Sequence, residues 1–293
     1  MPKIVDYARF ADRLAAPRDR WDLLREVQDE WGYEPPADGP VWLKWDEAEH
    51  AAYVRHLRGE LTGEDADRFA GVDPALPVPK ALDEWWELPF NSFTRSPRLY
   101  WTHPEYPPTV RPDPSGHGVA GGLPAGNPFV GPGDDVRVCV FMAEYEYCNE
   151  WGYLAAEAGQ DDPRVLVTVD DDTWVPQARS ISEFFVQLAV QRIPHYRGWL
   201  LQMSEDDFAG DAPFIERLQA SYRPMGFEPW RELEACTTAY GGPDVIVLHD
   251  TGMRDYSVEI AARTRDALVR AAAVLGRDLA DGDIRPPKGD AAS

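Results

Sequence analysis

The chain has 293 residues, with 51 acidic side chains against 29 basic ones and a formal net charge of -22. Hydrophobic residues make up 44% and charged residues 27%, a globular composition that excludes a disordered chain, a coiled coil and a membrane-spanning protein. A surface this acidic repels nucleic acid and anionic lipid, so neither is expected as a partner, and it draws basic proteins toward it.

The start, Met1 to Asp6, has no basic region followed by an apolar stretch, so no secretory signal is expected. Cys139, Cys148 and Cys236 show no Cys-x-x-Cys spacing and read as reduced thiols of a cytoplasmic protein. Residues 1–60 read as a peripheral helical segment. Trp21, Leu24, Val27 and Trp31 recur at the spacing of one helix face, with Gly32 as the stop. Asp46 and Glu49 have the spacing of a capping box, Ala48, Ala52 and Leu57 form an apolar side, and Gly59 ends that second helix.

Residues 61–200 form the expected core. A helix covers Ala81 to Trp86 behind Pro79. The Pro/Gly-rich stretch from Pro104 to Gly133 reads as a long loop. Strands are expected at Val136–Ala143, Trp151–Ala155 and Val165–Val169. Asp170-Asp171-Asp172 then turns into a short returning strand at Trp174-Val175. Ser180 and Glu183 fit a capping box ahead of Ile181, Phe184, Phe185 and Leu188, and Pro194 ends that helix. Residues 201–280 read as a small α+β extension: a helix after Pro213, strands at Val245–Leu248 and Tyr256–Ile260, and a helix from Thr264 to Leu275 closed by Gly276. Residues 281–293 read as a flexible tail.

Motifs for chemistry are sparse. The chain has no phosphate-cradling Gly-x-x-x-x-Gly-Lys, no Gly-x-Ser-x-Gly and no His-Glu-x-x-His. Glu144 and Glu146, two apart after a strand, share one face and can form an acid/base pair or an exposed charged strand end. Asp170, Asp171 and Asp172 offer ligands for a hard cation, but Gln177 stands where a calcium loop needs glycine, and aspartate also favours turns. His249-Asp250 ends a strand with no nucleophile beside it in sequence. Cys148 has no basic neighbour to activate it.

The text from Glu144 to Phe185 resembles the C-terminal half of the SUKH superfamily, the immunity-protein group founded on a yeast cell-wall-assembly regulator. The matching residues are the strand Val136–Ala143, Glu144, and Asn149-Glu150-Trp151-Gly152. They continue with Asp161-Asp162-Pro163-Arg164-Val165, Trp174, and Ser180-Ile181-Ser182-Glu183-Phe184-Phe185. Leu76-Pro77, Trp85-Trp86 and Phe90-Asn91 resemble its N-terminal helix, although Asn91-Ser92-Phe93 replaces the usual Asn-Gly-Gly. The resemblance covers residues 60–195. It implies a mixed, mainly antiparallel β-sheet flanked by helices, hence an α+β fold, with no catalytic residue, metal or cofactor. It also implies binding to a protein, in bacterial members a toxin that is often a nuclease. The expected partner is therefore a basic toxin domain, met by Glu144, Glu146, Asp170, Asp171 and Asp172 beside Trp174 as an aromatic anchor. A regulatory scaffold for an endogenous protein and a carboxylate-dependent hydrolase are the alternatives.

Overall fold

The computed structural model describes residues 3–33, 55–56, 58–64, 75–88, 119–120, 122–124, 126–143, 149–170, 173–211, 213–252, 256–279 and 283–288. The chain divides into two compact units. One joins Met1–Glu34 to Phe185–Ser293, and the other is Pro35–Phe184. The first thirty-odd residues thus group with the C-terminal part.

After a single 3-10 turn come α1 (Phe10–Ala15) and α2 (Asp22–Glu30). Trp21, Leu24, Val27 and Trp31 are all buried, as their spacing requires. Helix α2 closes in a Schellman turn. The Gly32 N–H donates to the Asp29 carbonyl at 3.1 Å and the Tyr33 N–H to the Gln28 carbonyl at 2.9 Å. Gly32 has φ +65°, a left-handed backbone that a Cβ would strain. Most of the helix expected from Asp46 lies outside the described residues. Its end does not: the Glu60 N–H reaches the Arg55 carbonyl and the Gly59 N–H the His56 carbonyl, the same closing turn.

In the Pro35–Phe184 unit, α3 (Lys80–Glu87) follows Pro79 and buries Ala81, Leu82 and Trp85. Five strands then form an antiparallel sheet in sequence order: β1 (Val119–Ala120), β2 (Val138–Ala143), β3 (Glu150–Leu154), β4 (Val165–Asp170) and β5 (Thr173–Ala178). The Pro/Gly stretch expected as loop thus contributes a two-residue strand, Val119 pairing with Cys139. Leu123, Val138, Leu154, Leu166 and Trp174 form one core cluster. Phe141, Trp151 and Tyr153 are also buried, and Phe184 meets Phe141 edge-on at 5.2 Å between ring centroids.

Several residues that carry the family resemblance have local structural tasks here. The buried Asn149 donates its side-chain N–H to the Thr168 carbonyl at 2.6 Å, and Thr168 Oγ1 accepts the Glu150 N–H at 2.7 Å, tying β3 to β4. A Cβ on Gly152 would lie 2.6 Å from Val138 Cγ1 and 2.7 Å from the Cys139 carbonyl oxygen, so only glycine lets β2 and β3 approach. Asp162 accepts the Ser182 N–H at 3.0 Å, and Ser180 Oγ accepts the Glu183 N–H at 3.1 Å. Together they cap α4 (Ile181–Arg197), whose first turn contains the boundary between the units. Helix α4 does not stop at Pro194 as expected. A proline in the last turn forfeits one backbone bond, and its own carbonyl accepts the Gly198 N–H at 2.8 Å.

The remaining elements are β6 (Trp199–Met203), α5 (Phe214–Ser221), β7 (Arg223–Pro224), β8 (Trp230–Glu232), β9 (Ala235–Gly242), β10 (Val245–Asp250), β11 (Val258–Ala262) and α6 (Arg265–Val274). They build a second antiparallel sheet in the order β6-β11-β10-β9-β7, with β8 on β9. The fold is therefore α+β, with two antiparallel sheets and flanking helices. Alternate residues of the second sheet (Leu201, Val245, Val247, Val258, Ile260) join Phe214, Leu218, Leu268 and Ala272 in one apolar cluster. Thr264 caps α6 by accepting the Ala267 N–H at 3.1 Å. Part of the expected flexible tail is held. Arg285 pairs antiparallel with Leu200, and the Lys288 ammonium sits 4.6 Å from the centre of the Tyr196 ring.

Candidate functional site

Most of the expected acidic surface falls outside what the structure describes. Glu144, Glu146, Asp171, Asp172 and Cys148 lie outside the described residues. Asp170 ends β4, its backbone opposite Thr173. Trp174 is placed, and it corrects the expectation of an exposed anchor. It is 7% exposed and packs with Leu123, Val138, Leu154 and Leu166. Its strand turns that side chain onto the sheet face covered by the Leu123 loop, so the indole contributes to the core.

His249-Asp250 is also spoken for. Asp250 is 5% exposed and accepts the Cys236 N–H at 2.7 Å, the Thr237 hydroxyl at 2.9 Å and the Gly252 N–H at 2.9 Å. These bonds fix the loop after β10 against β9. Burial pulls the His249 imidazole below its ordinary pKa, with the Asp250 charge partly opposing. The folded state therefore resists the imidazolium. Stability contributed by neutral His249 is fully present above the unfolded histidine value of about 6.5 and is lost as pH falls through the lower folded value. Replacing His249 with asparagine should flatten the acid limb of stability below pH ~6.5. Urea midpoints measured across that range check this.

Sequence reasoning missed the main polar constellation. On the sheet face opposite the apolar cluster, Glu259 of β11 accepts from Gln202 of β6 at 2.7 Å and lies 2.9 Å from His195 Nδ1 of α4. One helical turn away, the Arg192 guanidinium bonds both oxygens of Glu232 on β8, which also accepts the Trp230 indole N–H at 2.7 Å. Arg192 and Glu232 side chains are 3% and 8% exposed, and those of His195 and Glu259 are 8% and 11%. A carboxylate-oriented imidazole is half of a nucleophile-activating triad, but this one is closed beneath α4 and holds that helix to the sheet.

A second polar cluster surrounds the N-terminal segment. Glu30 accepts the Tyr7 hydroxyl at 3.0 Å and two Arg13 bonds at 2.8 and 3.2 Å. Burial first, and then the Glu30 charge, push the Tyr7 phenol far above its ordinary value. Asp244 accepts the Val5 N–H at 2.9 Å and Arg263 at 2.8 Å. Among the described residues no group of three or more His, Cys, Asp or Glu is placed to hold a metal ion, and no helix is long and apolar enough to cross a membrane. No model of a known protein family matches the chain, and neither a curated protein nor a solved structure is similar to it.

Proposed function

We propose that this chain is a non-catalytic immunity-type protein that acts in the cytoplasm and neutralises a basic toxin domain, such as a nuclease, through an acidic surface. The observation that carries the reading is the charge of -22, set beside where the described buried charges go. Arg192 pairs with Glu232, Arg263 with Asp244, and His195 with Glu259. The Arg192–Glu232 and Arg263–Asp244 pairs cancel internally and take no part in the acidic excess. A potential of that sign concentrates a cationic partner, raises its association rate, and mimics the phosphates that a nuclease holds. The family resemblance over residues 60–195 supports the same reading.

The test is association with a basic nuclease toxin domain at several salt concentrations, alongside rescue of cells that express the toxin. Rescue is expected, with an on-rate that falls steeply as salt rises. Reversing Asp170, Asp171 and Asp172 to lysine should slow association by about tenfold and flatten the salt dependence. Unchanged kinetics in that variant would take the β4–β5 turn out of the contact surface. Salt-insensitive capture of a housekeeping protein, with no rescue, would replace immunity by the regulatory-scaffold reading.

A further inference from the structure

The second sheet ends at β6, which pairs along its length with β11 on one side. Among the described residues its other edge is met at a single position. There the Leu200 N–H donates to the Arg285 carbonyl and the Arg285 N–H to the Leu200 carbonyl, both at 2.9 Å. Backbone groups alternate in direction along a strand, so those of Gln202 point to the same open edge as those of Leu200. The antiparallel register that sets Arg285 against Leu200 sets Asp283 against Gln202 and Pro287 against Gly198. Asp283 lies in a 3-10 turn and proline has no N–H to give, so the pairing stops after one residue. Residues 283–288 thus form a strap that covers part of a sheet edge without completing the ladder.

The side chains of the strap display the chemistry that this edge accepts. The Lys288 ammonium lies 4.6 Å from the centre of the Tyr196 ring, and the Lys288 N–H donates to the Tyr196 carbonyl at 3.0 Å. The Arg285 guanidinium lies 5.8 Å from the centre of the Tyr256 ring, with Nη2 3.4 Å from the phenol oxygen. Ile284 packs against the apolar cluster of the second sheet. Two tyrosines therefore seat two cations along the edge, beside one apolar contact. Arg285 and Lys288 are exposed, and a cation over an aromatic ring is a weak tie where water competes. A strand antiparallel to β6 and longer than the strap carries its N-terminal residues past Glu205 and Asp206, both exposed.

We infer that the β6 edge is a docking site for an extended, basic segment of another protein, which adds as a strand in place of residues 283–288. The incoming segment has an apolar residue, then Arg, then Lys three positions on, the pattern of Ile284, Arg285 and Lys288, in a stretch without proline. It forms backbone bonds to Gln202 that the strap does not. In a chain with a net charge of -22 a cationic strand is the complementary one. The strap lowers the apparent affinity by the fraction of molecules in which the edge is open, so it sets a threshold on binding. The inference does not rest on the immunity reading, because the strap itself displays the ligand chemistry and the test needs no toxin.

The experiment titrates the full chain with a fluorescein-labelled peptide containing Val-Ile-Arg-Val-Thr-Lys, and with a second peptide in which Glu replaces the Arg and the Lys. Anisotropy reads binding, and hydrogen exchange of the ¹⁵N-labelled chain reads its place. The basic peptide should bind saturably and slow exchange of the Gln202 amide at least about tenfold, and the acidic one should not bind. The variant Arg285→Gln, Lys288→Gln changes two exposed side chains and should bind the basic peptide at least about tenfold more tightly. The variant Arg223→Gln, Arg270→Gln, with the same change of charge at exposed positions elsewhere, should keep wild-type affinity. No saturable binding to the strap variant, equal affinity with and without the strap cations, or binding that leaves Gln202 exchange unchanged would each overturn the assignment. Dimerisation of the strap variant in place of peptide binding would also overturn it, giving the edge to a second copy of the chain.

Discussion

Replacing Arg192 with methionine should destabilise the unit it belongs to by about 3–5 kcal/mol, the loss typical of breaking a buried ion pair from one side. Arg192 is 2% exposed and Glu232 is 7% exposed. Their mutual bonds offset the cost of taking both charges out of water. Without the guanidinium, Glu232 keeps the Trp230 indole N–H as its remaining charge-stabilising donor. That neutral donor cannot replace a cation in so dry a place. The double variant Arg192→Met, Glu232→Leu should recover more than half of the loss, because an apolar pair of similar volume removes the stranded charge. Urea unfolding followed by tryptophan fluorescence measures both. A single-variant loss below about 1 kcal/mol would mean that water reaches the pair, as at an exposed salt bridge.

The contrast between Arg192 and its helix neighbours shows what was legible in the sequence. Ile181, Phe184, Phe185 and Leu188 announced the apolar stripe of α4 through local spacing, and all four are buried. The same spacing rule also marked α2, α5 and α6, because helix periodicity needs only the helix itself. Gln187, Gln191 and His195 recur at i, i+4 and i+8, a polar spacing that carries no sign of burial. In the structure they are 1%, 5% and 7% exposed. Glu259 misleads in the same way: alternation along Val258-Glu259-Ile260 places it opposite the apolar cluster, but α4 covers that face. Whether a polar stripe meets water or another element is decided by tertiary contacts, here between residues 64 positions apart. The one sequence signal available was the match itself, a stripe containing Arg192 and His195 together with carboxylates on alternating strands. Trp174 failed for the complementary reason. An aromatic beside an acidic turn reads as an anchor until the sheet face it occupies is known. The tie between α2 and the start of α6 was out of reach as well, since Glu30 and Arg263 are 233 positions apart in the chain.

Deleting residues 1–33 should abolish folding of residues 185–293 rather than trim a peripheral segment. Tyr7, Phe10, Leu24 and Val27 are fully buried, and Trp21, Leu23, Trp31 and Tyr33 are nearly so. Each such side chain contributes about 1.5–3 kcal/mol of burial. Even discounted for compactness of the unfolded chain, eight of them are comparable to or larger than the whole net stability of about 5–15 kcal/mol of an ordinary domain. Directional bonds are lost as well. The Val5 N–H donates to Asp244 Oδ1, the Asp244 N–H returns a bond to the Val5 carbonyl at 2.7 Å, and the Arg263 guanidinium reaches the Glu30 carbonyl at 2.8 Å. Asp244 has φ +59°, a left-handed conformation held in part by those Val5 and Arg263 bonds. A fragment of residues 185–293 alone should therefore show no cooperative thermal transition and collapsed amide dispersion, and adding a synthetic peptide of residues 1–34 should restore both. A fragment that unfolds cooperatively without the peptide would show that the second sheet and its helices suffice. If instead the peptide is required, loss of function on N-terminal truncation reports loss of the fold, and the binding surface must be mapped by substitution in the full chain.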